Sequence, residues 1–414
     1  MGERTFVKST RKSTEKKGHP VRLATDVPML LVVAILLVFG LLMVYSASWD
    51  ASLSIGKEPT YVFNRQILWS LLGITVAVVL SFIDYHFYER FLIWMMLLMI
   101  GLLFAVLIVA DVRFNATRAL FAGSIQPAEL SKMGIIVYLS FWLYKRRESL
   151  SNISIGLVPL FMILGLVGGL IFVQPDISAA ATIFILGIML FFLAGGDLKQ
   201  LLLVALGVLV IGGLVVAATS TGKVRLEQYF DGLTNPVMGS YHIRRIFEAI
   251  IKGGVFGVGI GQADTKFTGL PLPHTDSIFA VIAEETGIIG SILLIACYGI
   301  LLWRGLVIAR RAPDQLGSLL AFGLTGWIVI EALMNLAVLV GLFPFTGNAL
   351  PLISAGGSSM VTTMAAIGIV MNVARRSVLD TSTERSQTSA VVDLRGRNGR
   401  RSVSSGNRFV SPQD

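Results

Sequence analysis

An aspartate closes the run Pro271-Leu272-Pro273-His274-Thr275-Asp276, at the end of the one long polar loop in a chain that otherwise reads as membrane. A carboxylate at that position can take a proton from a hydroxyl presented in the outer leaflet. The apolar stretch that follows carries Glu284 and Glu285. Carboxylates inside a membrane helix are costly and suggest function. For this pair the commoner explanation is an ion pair or a packing contact.

The same loop holds two further features. In Ser240–Lys252, residues Ile243, Ile246, Phe247, Ile250 and Ile251 share one helical face, while Arg244, Arg245, Glu248 and Lys252 lie elsewhere. That pattern predicts a helix in the membrane interface. It is either a lid without chemistry or a basic surface for lipid-linked phosphates. The run Gly253-Gly254-Val255-Phe256-Gly257-Val258-Gly259-Ile260-Gly261 could cradle phosphate through backbone N–H groups. No Lys-Ser/Thr follows it, so a hinge is the simpler expectation.

Other polar residues fall on the same side. They are Asn115-Ala116-Thr117-Arg118, then Gln126-Pro127-Ala128-Glu129-Leu130-Ser131-Lys132, Asp176 at a helix start, and Glu331 with Asn335. Glu129 and Lys132 are spaced to pair within one helix. Together these residues predict a polar cavity facing the outer leaflet. The histidines show no metal-ligand spacing, and Cys297, the lone cysteine, rules out an intrachain disulfide.

Positioning these groups requires a membrane bundle. Only 14% of the residues are charged, against roughly 25% in soluble proteins. Apolar runs of about 20 residues predict transmembrane helices. We place them at 28–48, 62–82, 90–110, 127–144, 153–173, 177–196, 199–219, 278–303, 315–342 and 350–374. The expected fold class is an all-α polytopic membrane protein of about ten transmembrane helices, with a large extracytoplasmic loop at 220–277 between the seventh and eighth. An even count puts both basic tails on one side with Lys145-Arg146-Arg147 and Arg304, Arg310 and Arg311. The positive-inside rule makes that side cytoplasmic. The formal charge of +9 sits in tails and short loops, so it concerns anionic headgroups and not nucleic acid. Residues 1–27 form a basic cytoplasmic tail leading into an uncleaved anchor. Residues 28–376 form the membrane domain, and 377–414 a disordered basic cytoplasmic tail.

The ordered string Ala116-Thr117-Arg118, Gln126-Pro127-Ala128-Glu129-Leu130-x-Lys132, Gln174-Pro175-Asp176, Asn235-Pro236, Tyr241, the glycine run, Lys266, His274-Thr275-Asp276, Glu284-Glu285, Asn335, Pro344-x-Thr346-Gly347, Leu350-Pro351-x-Ile353-Ser354 and Gly356-Gly357-Ser358-Ser359 resembles the SEDS family, the FtsW/RodA/SpoVE-like group. The resemblance spans about 28–376. It implies a ten-helix fold in the bacterial cytoplasmic (inner) membrane. It also implies peptidoglycan glycosyltransferase activity on lipid II, beside a class B penicillin-binding protein; the long basic tails point to the FtsW division type, with other divisome proteins as partners. Asp276 would be the required general base, and undecaprenyl diphosphate the leaving group. The candidates for binding the diphosphate or the rest of the substrate are Arg118, Arg244, Arg245, Lys266, Gln126, Glu129, Lys132, Asp176, His274, Thr275, Glu284, Glu285 and Ser358. The cofactor expectation is none, or a divalent cation (Mg or Mn) that shares the leaving-group charge.

Several positions depart from the family's usual residue. Ala119 stands for Trp, Leu272 for Glu, Ser277 for Phe, Ala355 for Tyr, Glu331 for Gln, and Ile177-Ser178 for Leu-Gly. Two other functions compete. One is a flippase for the lipid-linked precursor, suggested by the intramembrane charges. The other is a non-enzymatic divisome scaffold, suggested by the tails and the departures.

Overall fold

A computed structural model describes residues 25–109, 126–174, 176–234, 240–344 and 347–401. Every regular element among them is helical: α1 (Val27–Ala47), α2 (Trp49–Ser54), α3 (Tyr61–Phe82), α4 (Leu92–Val109), α5 (Pro127–Arg146), α6 (Val158–Val173), α7 (Ile177–Leu193), α8 (Leu198–Ala218), α9 (Ser220–Thr234), α10 (Tyr241–Gly253), α11 (Ile278–Arg310), α12 (Gln315–Leu339) and α13 (Gly357–Arg401). A helix overlaps each of the ten expected spans, and seven of the described helices are long and apolar enough to cross a membrane by length and composition. The chain is a multi-pass membrane protein.

Local signals set several helix starts. The Asp26 carboxylate accepts from Met29 N at 3.0 Å, with Pro28 in the first turn of α1. Asp314 caps α12 by accepting from Gly317 N at 2.6 Å. Ser240 caps α10 by accepting from Ile243 N at 3.3 Å, so an amphipathic helix forms where the periodicity placed it. These side chains satisfy backbone N–H groups that a helix start leaves without partners.

α12 and the membrane part of α13 are mostly buried, whereas α3 and α4 expose most of their surface to the surroundings. α13 packs along α3, α11 along α12 and α1, and α5 against α7 and α12. An apolar helix that faces lipid gains little from hydrophobicity alone, so packing and polar contacts decide which helices become central.

Three expectations need correction. Residues 350–356 are not helical. They form a turn in which Leu352 holds φ at +67°, and α13 starts only at Gly357. The turn leaves backbone groups free to bind the loop that carries Asp276. The tail expected to be disordered is helical as far as Arg401, and no proline interrupts 357–401. Lastly, α11 is not one membrane helix. Its 33 residues would extend about 50 Å, well past a hydrocarbon core of about 30 Å. Gly287 breaks it, with φ +69° and ψ −167°. The part after the break is long enough to span by itself. Glu284 and Glu285 therefore belong to a separate segment at the Asp276 end, not to the membrane middle.

At the opposite end, polar side chains tie the helices together. His86 lies 2.9 Å from Asp84 Oδ1 and 2.7 Å from Asp314 Oδ2. Tyr85 donates its hydroxyl to Asp314 at 3.0 Å, and Arg376 reaches Asp84 at 2.6 Å. These bonds join the segment after α3 to the starts of α12 and the lower part of α13.

Candidate active site

The loop 271–277 is held by its backbone. Three successive carbonyls accept hydrogen bonds from three different groups. His274 O accepts from Ala355 N at 2.9 Å, Thr275 O from Ser354 Oγ at 2.7 Å, and Asp276 O from Asn335 Nδ2 at 3.1 Å. Ser354 Oγ also accepts from Leu350 N at 2.7 Å, which fixes its orientation. Leu272 is held at φ +48°, a conformation costly for a side chain of that kind. The position of Asp276 is thus set by α12 and the turn before α13.

Asp276 lines a cavity of about 230 Å³ with Gln126, Glu129, Lys132, Asp176, Thr275, Glu331, Asn348 and Ser358. Four helices begin at its wall: α5 after Gln126, α7 after Asp176, α11 after Ser277 and α13 at Gly357. Each helix start has N–H groups without intrahelical partners and about half a positive charge. Direct bonds hold three of these starts together. Gln126 N donates to Ser358 Oγ at 3.1 Å, and Gln126 Nε2 to Asp176 Oδ2 at 3.4 Å. Asp176 Oδ1 accepts from Ala179 N at 3.2 Å and Ser178 Oγ at 3.0 Å. Asp176 is therefore a helix cap as well as a cavity residue.

Beneath the rim lies a buried charge triad. Lys132 Nζ donates to Glu129 Oε1 at 2.8 Å and also binds Glu331 Oε1. Lys132 and both glutamates are less than a tenth exposed, and the ammonium lies 5.8 Å from the centroid of the Trp327 ring. Lys132 is five residues into α5, about 8 Å below its start. The pairing of Glu129 with Lys132 follows from their spacing; that of Glu331 needed α12 to pack on α5.

The structure does not bring the other described candidates into this cavity. Lys266 Nζ donates to Glu285 Oε1 at 2.8 Å, Ser46 Oγ at 2.8 Å and Gly261 O at 3.0 Å. Three acceptors use all three ammonium hydrogens, so none is left for a diphosphate. Glu284 accepts from Asp264 N at 3.0 Å and Thr265 N at 3.3 Å, as well as from the Thr265 hydroxyl. Both glutamates thus fold the long loop onto α11. The glycine run is neither hinge nor phosphate cradle. Val258 N donates to Glu284 O at 2.9 Å and Gly259 N to Glu285 O at 3.1 Å. A Cβ on Gly257, at φ +80°, would stand 2.2 Å from Glu285 O. Arg245 is committed to Glu248 and to Thr268, whose hydroxyl accepts at 2.7 Å. Arg244 is exposed on α10. His274 faces a second cavity on the other side of the loop. Arg118 lies outside the described residues.

A profile described as "Cell cycle protein", that of the FtsW/RodA/SpoVE group, matches residues 27–378. The chain belongs to the FtsW/RodA/SpoVE family. It is 34% identical to stage V sporulation protein E of Bacillus subtilis (strain 168), over 88% of this chain and 99% of that one. It is 35% identical to the "Probable peptidoglycan glycosyltransferase FtsW" of Thioalkalivibrio sp. (strain K90mix), over 86% of this chain and 91% of the relative. Among solved structures it resembles a chain of a peptidoglycan synthase complex in which polymerisation and crosslinking are structurally coordinated. The TM-score is 0.71 at 26% identity, covering 86% of this chain and 99% of that one. Thermus thermophilus rod shape determining protein RodA matches with a TM-score of 0.61 at 26% identity, over 86% and 98% of the two chains.

In this FtsW/RodA/SpoVE-family protein, sequence reasoning missed one element of the loop. His242 Nε2 lies 3.0 Å from Ser277 Oγ, and the same ring bonds to the Pro271 carbonyl. One imidazole therefore joins the two ends of the loop that carries Asp276. Ser277, present where the family usually has Phe, makes that clamp possible. Burial pushes the His242 pKa down to about 4, opposed by the bond to Pro271. The folded state thus keeps His242 neutral while an unfolded histidine titrates near 6.5. The clamp contributes its full stability above that unfolded value and loses it as pH falls from about 6.5 towards 4. Melting midpoints of the purified protein should fall between pH 7 and pH 5, and less steeply in His242→Gln. His274, also held down by burial, leaves the variant part of the slope. Equal slopes in the two proteins would count against the clamp.

Proposed function

We infer that this protein is a peptidoglycan glycosyltransferase that polymerises lipid II in the bacterial cytoplasmic membrane, with a class B penicillin-binding protein and other divisome proteins as partners. The observation that carries this reading is the Asp276 carboxylate, on a backbone-pinned loop at a polar cavity where four helices begin. Relatives named as peptidoglycan glycosyltransferases support the reaction class. The similar chain in a synthase complex supports a crosslinking partner.

In the reaction, Asp276 takes the proton from the 4-hydroxyl of a lipid-linked GlcNAc. The freed oxygen attacks a muramyl C1, and the bond from that carbon to undecaprenyl diphosphate breaks. The glutamates, Asp176 and Asn348 of the cavity suit hydroxyl groups better than they suit a phosphate. Charge on the departing diphosphate falls to the helix N-termini and to an arginine. Among the described residues the exposed Arg244 is the candidate, since Lys266 and Arg245 have other partners; Arg118 lies outside the described residues. Among the described residues, no three His, Cys, Asp or Glu side chains are grouped to hold a metal. We therefore route no step through a divalent cation. The test is purified protein with its partner and labelled lipid II, read out as glycan chains on a gel. Intact labelled lipid II after incubation would refute the reading.

We place both termini in the cytoplasm, on the basic loops and tails. In a Cys297→Ala background, cysteine at Gln262 should label in intact cells with an impermeant thiol reagent. Cysteine at Glu148 should label only after lysis. Both positions are exposed, so the reverse pattern would invert the topology.

A further inference from the structure

A second cavity, of about 290 Å³, adjoins the loop 271–277 on the side away from Asp276. Asp50 and Ser54 of α2 form one wall. Phe267, Leu272, Pro273 and His274 form the other. The two cavities thus share a loop: Thr275 and Asp276 line the first, and Leu272 to His274 line the second.

The walls are fixed. Tyr241 donates its hydroxyl to Gly269 O at 2.9 Å, Leu270 N donates to Thr265 O at 3.0 Å, and Phe267 N to Asp264 O at 3.0 Å. On the facing side, Lys57 N donates to Ser52 O at 3.0 Å and Val62 N to Ser52 Oγ at 3.3 Å. The cavity's volume falls just below the usual range of small-molecule sites, about 300–1,000 Å³, which suits a single sugar ring.

The chemistry of the lining decides what it can take. Lys266 touches the cavity, but its ammonium is spent on Glu285, Ser46 and Gly261. Among the described residues, the lining charge left over is the exposed Asp50. A cavity of that sign repels a diphosphate and accepts neutral hydroxyl donors. Phe267 is 54% exposed, and Lys266 lies 5.3 Å from its ring centroid. The open part of the ring offers a surface to the C–H face of a pyranose. His274 lines the same cavity and adds an imidazole to its polar wall. A carboxylate, a hydroxyl, an imidazole and an aromatic ring around one small cavity are the groups that recognise a sugar.

Building on the glycosyltransferase reading, we propose that this second cavity is a glycan subsite, holding a sugar residue of the growing polymer across the loop from the reacting centre. A polymerase that retains its product needs a hold beyond the bond being made. Losing a hold of about 1.4 kcal/mol weakens polymer retention about tenfold. When release competes with addition, chains shorten by a similar factor.

The experiment compares the unvaried protein with Asp50→Asn, Phe267→Leu and Phe267→Ala, each with its partner, on labelled lipid II. Products are sized on gels, and binding of the free GlcNAc–MurNAc disaccharide is followed by saturation-transfer NMR. The expected result is chains roughly tenfold shorter in Phe267→Ala and intermediate in the milder variants. Lipid II should still be consumed, and the disaccharide signal should weaken. An unchanged chain-length distribution would overturn the subsite. So would loss of even the first coupling in a folded Asp50→Asn protein, because the residue would then belong to the reacting centre. Failure of the unvaried protein to make any polymer would instead refute the glycosyltransferase reading.

Discussion

Asp276→Asn is expected to leave a folded, inserted protein that polymerises lipid II about 10²–10⁴ times more slowly, the usual contribution of a general base. The expectation of normal folding rests on the loop's attachments. Ala355 N, Ser354 Oγ and Asn335 Nδ2 bind the backbone carbonyls of residues 274–276, not the carboxylate. The amide has nearly the shape of the carboxylate and cannot take the proton. The loss should therefore appear in turnover, with lipid II binding largely retained. Gel-resolved glycan synthesis, normalised to folded protein by size-exclusion chromatography, measures it. Near-normal synthesis by the Asn variant would remove Asp276 from the base role. Loss of the folded peak would mean the side chain is structural.

Lys132→Met should be the most destabilising single change at the site. It leaves Glu129 and Glu331 buried together with no cation between them. Removing one partner of a buried ion pair costs about 3–5 kcal/mol, which corresponds to a melting shift on the order of 10 °C. The triple variant Lys132→Met/Glu129→Gln/Glu331→Gln should recover most of that loss, because no unpaired charge remains. Glu331→Gln alone should be neutral or stabilising, since two carboxylates now share one ammonium. Thermal melting in detergent, followed by size-exclusion fluorescence, separates these outcomes. If Lys132→Met melts with the unvaried protein, the triad is not a buried charge network. If the triple variant is no better than the single, the lysine acts through packing on Trp327.

These two sites differ in how far the sequence revealed them. Asp276 was legible because it ends a polar loop between apolar spans, and a carboxylate there has few structural duties. Glu129 and Lys132 were legible as a pair because three residues along a helix bring side chains together. Glu331 on the same ammonium was not, because α5 and α12 are far apart in the chain. Glu284, Glu285 and Lys266 were misjudged as substrate candidates for a related reason. Their burial depends on the break at Gly287 and on a loop folding back across α11. Neither has a periodic signature.

Helices at the ten expected places, the amphipathic helix at 241–253 and a polar cavity beside Asp276 were all legible in the sequence alone. Hydropathy acts locally: about 20 apolar residues must bury their backbone bonds in a helix whatever surrounds them. Tertiary structure alone decided which polar groups meet. It put the starts of α5, α7, α11 and α13 around one cavity, linked Ser354 and Ala355 to the carbonyls behind Asp276, and closed the loop with His242. Such contacts join residues tens to hundreds of positions apart. Directional bonds and close packing between helices select them, and no local pattern records that selection.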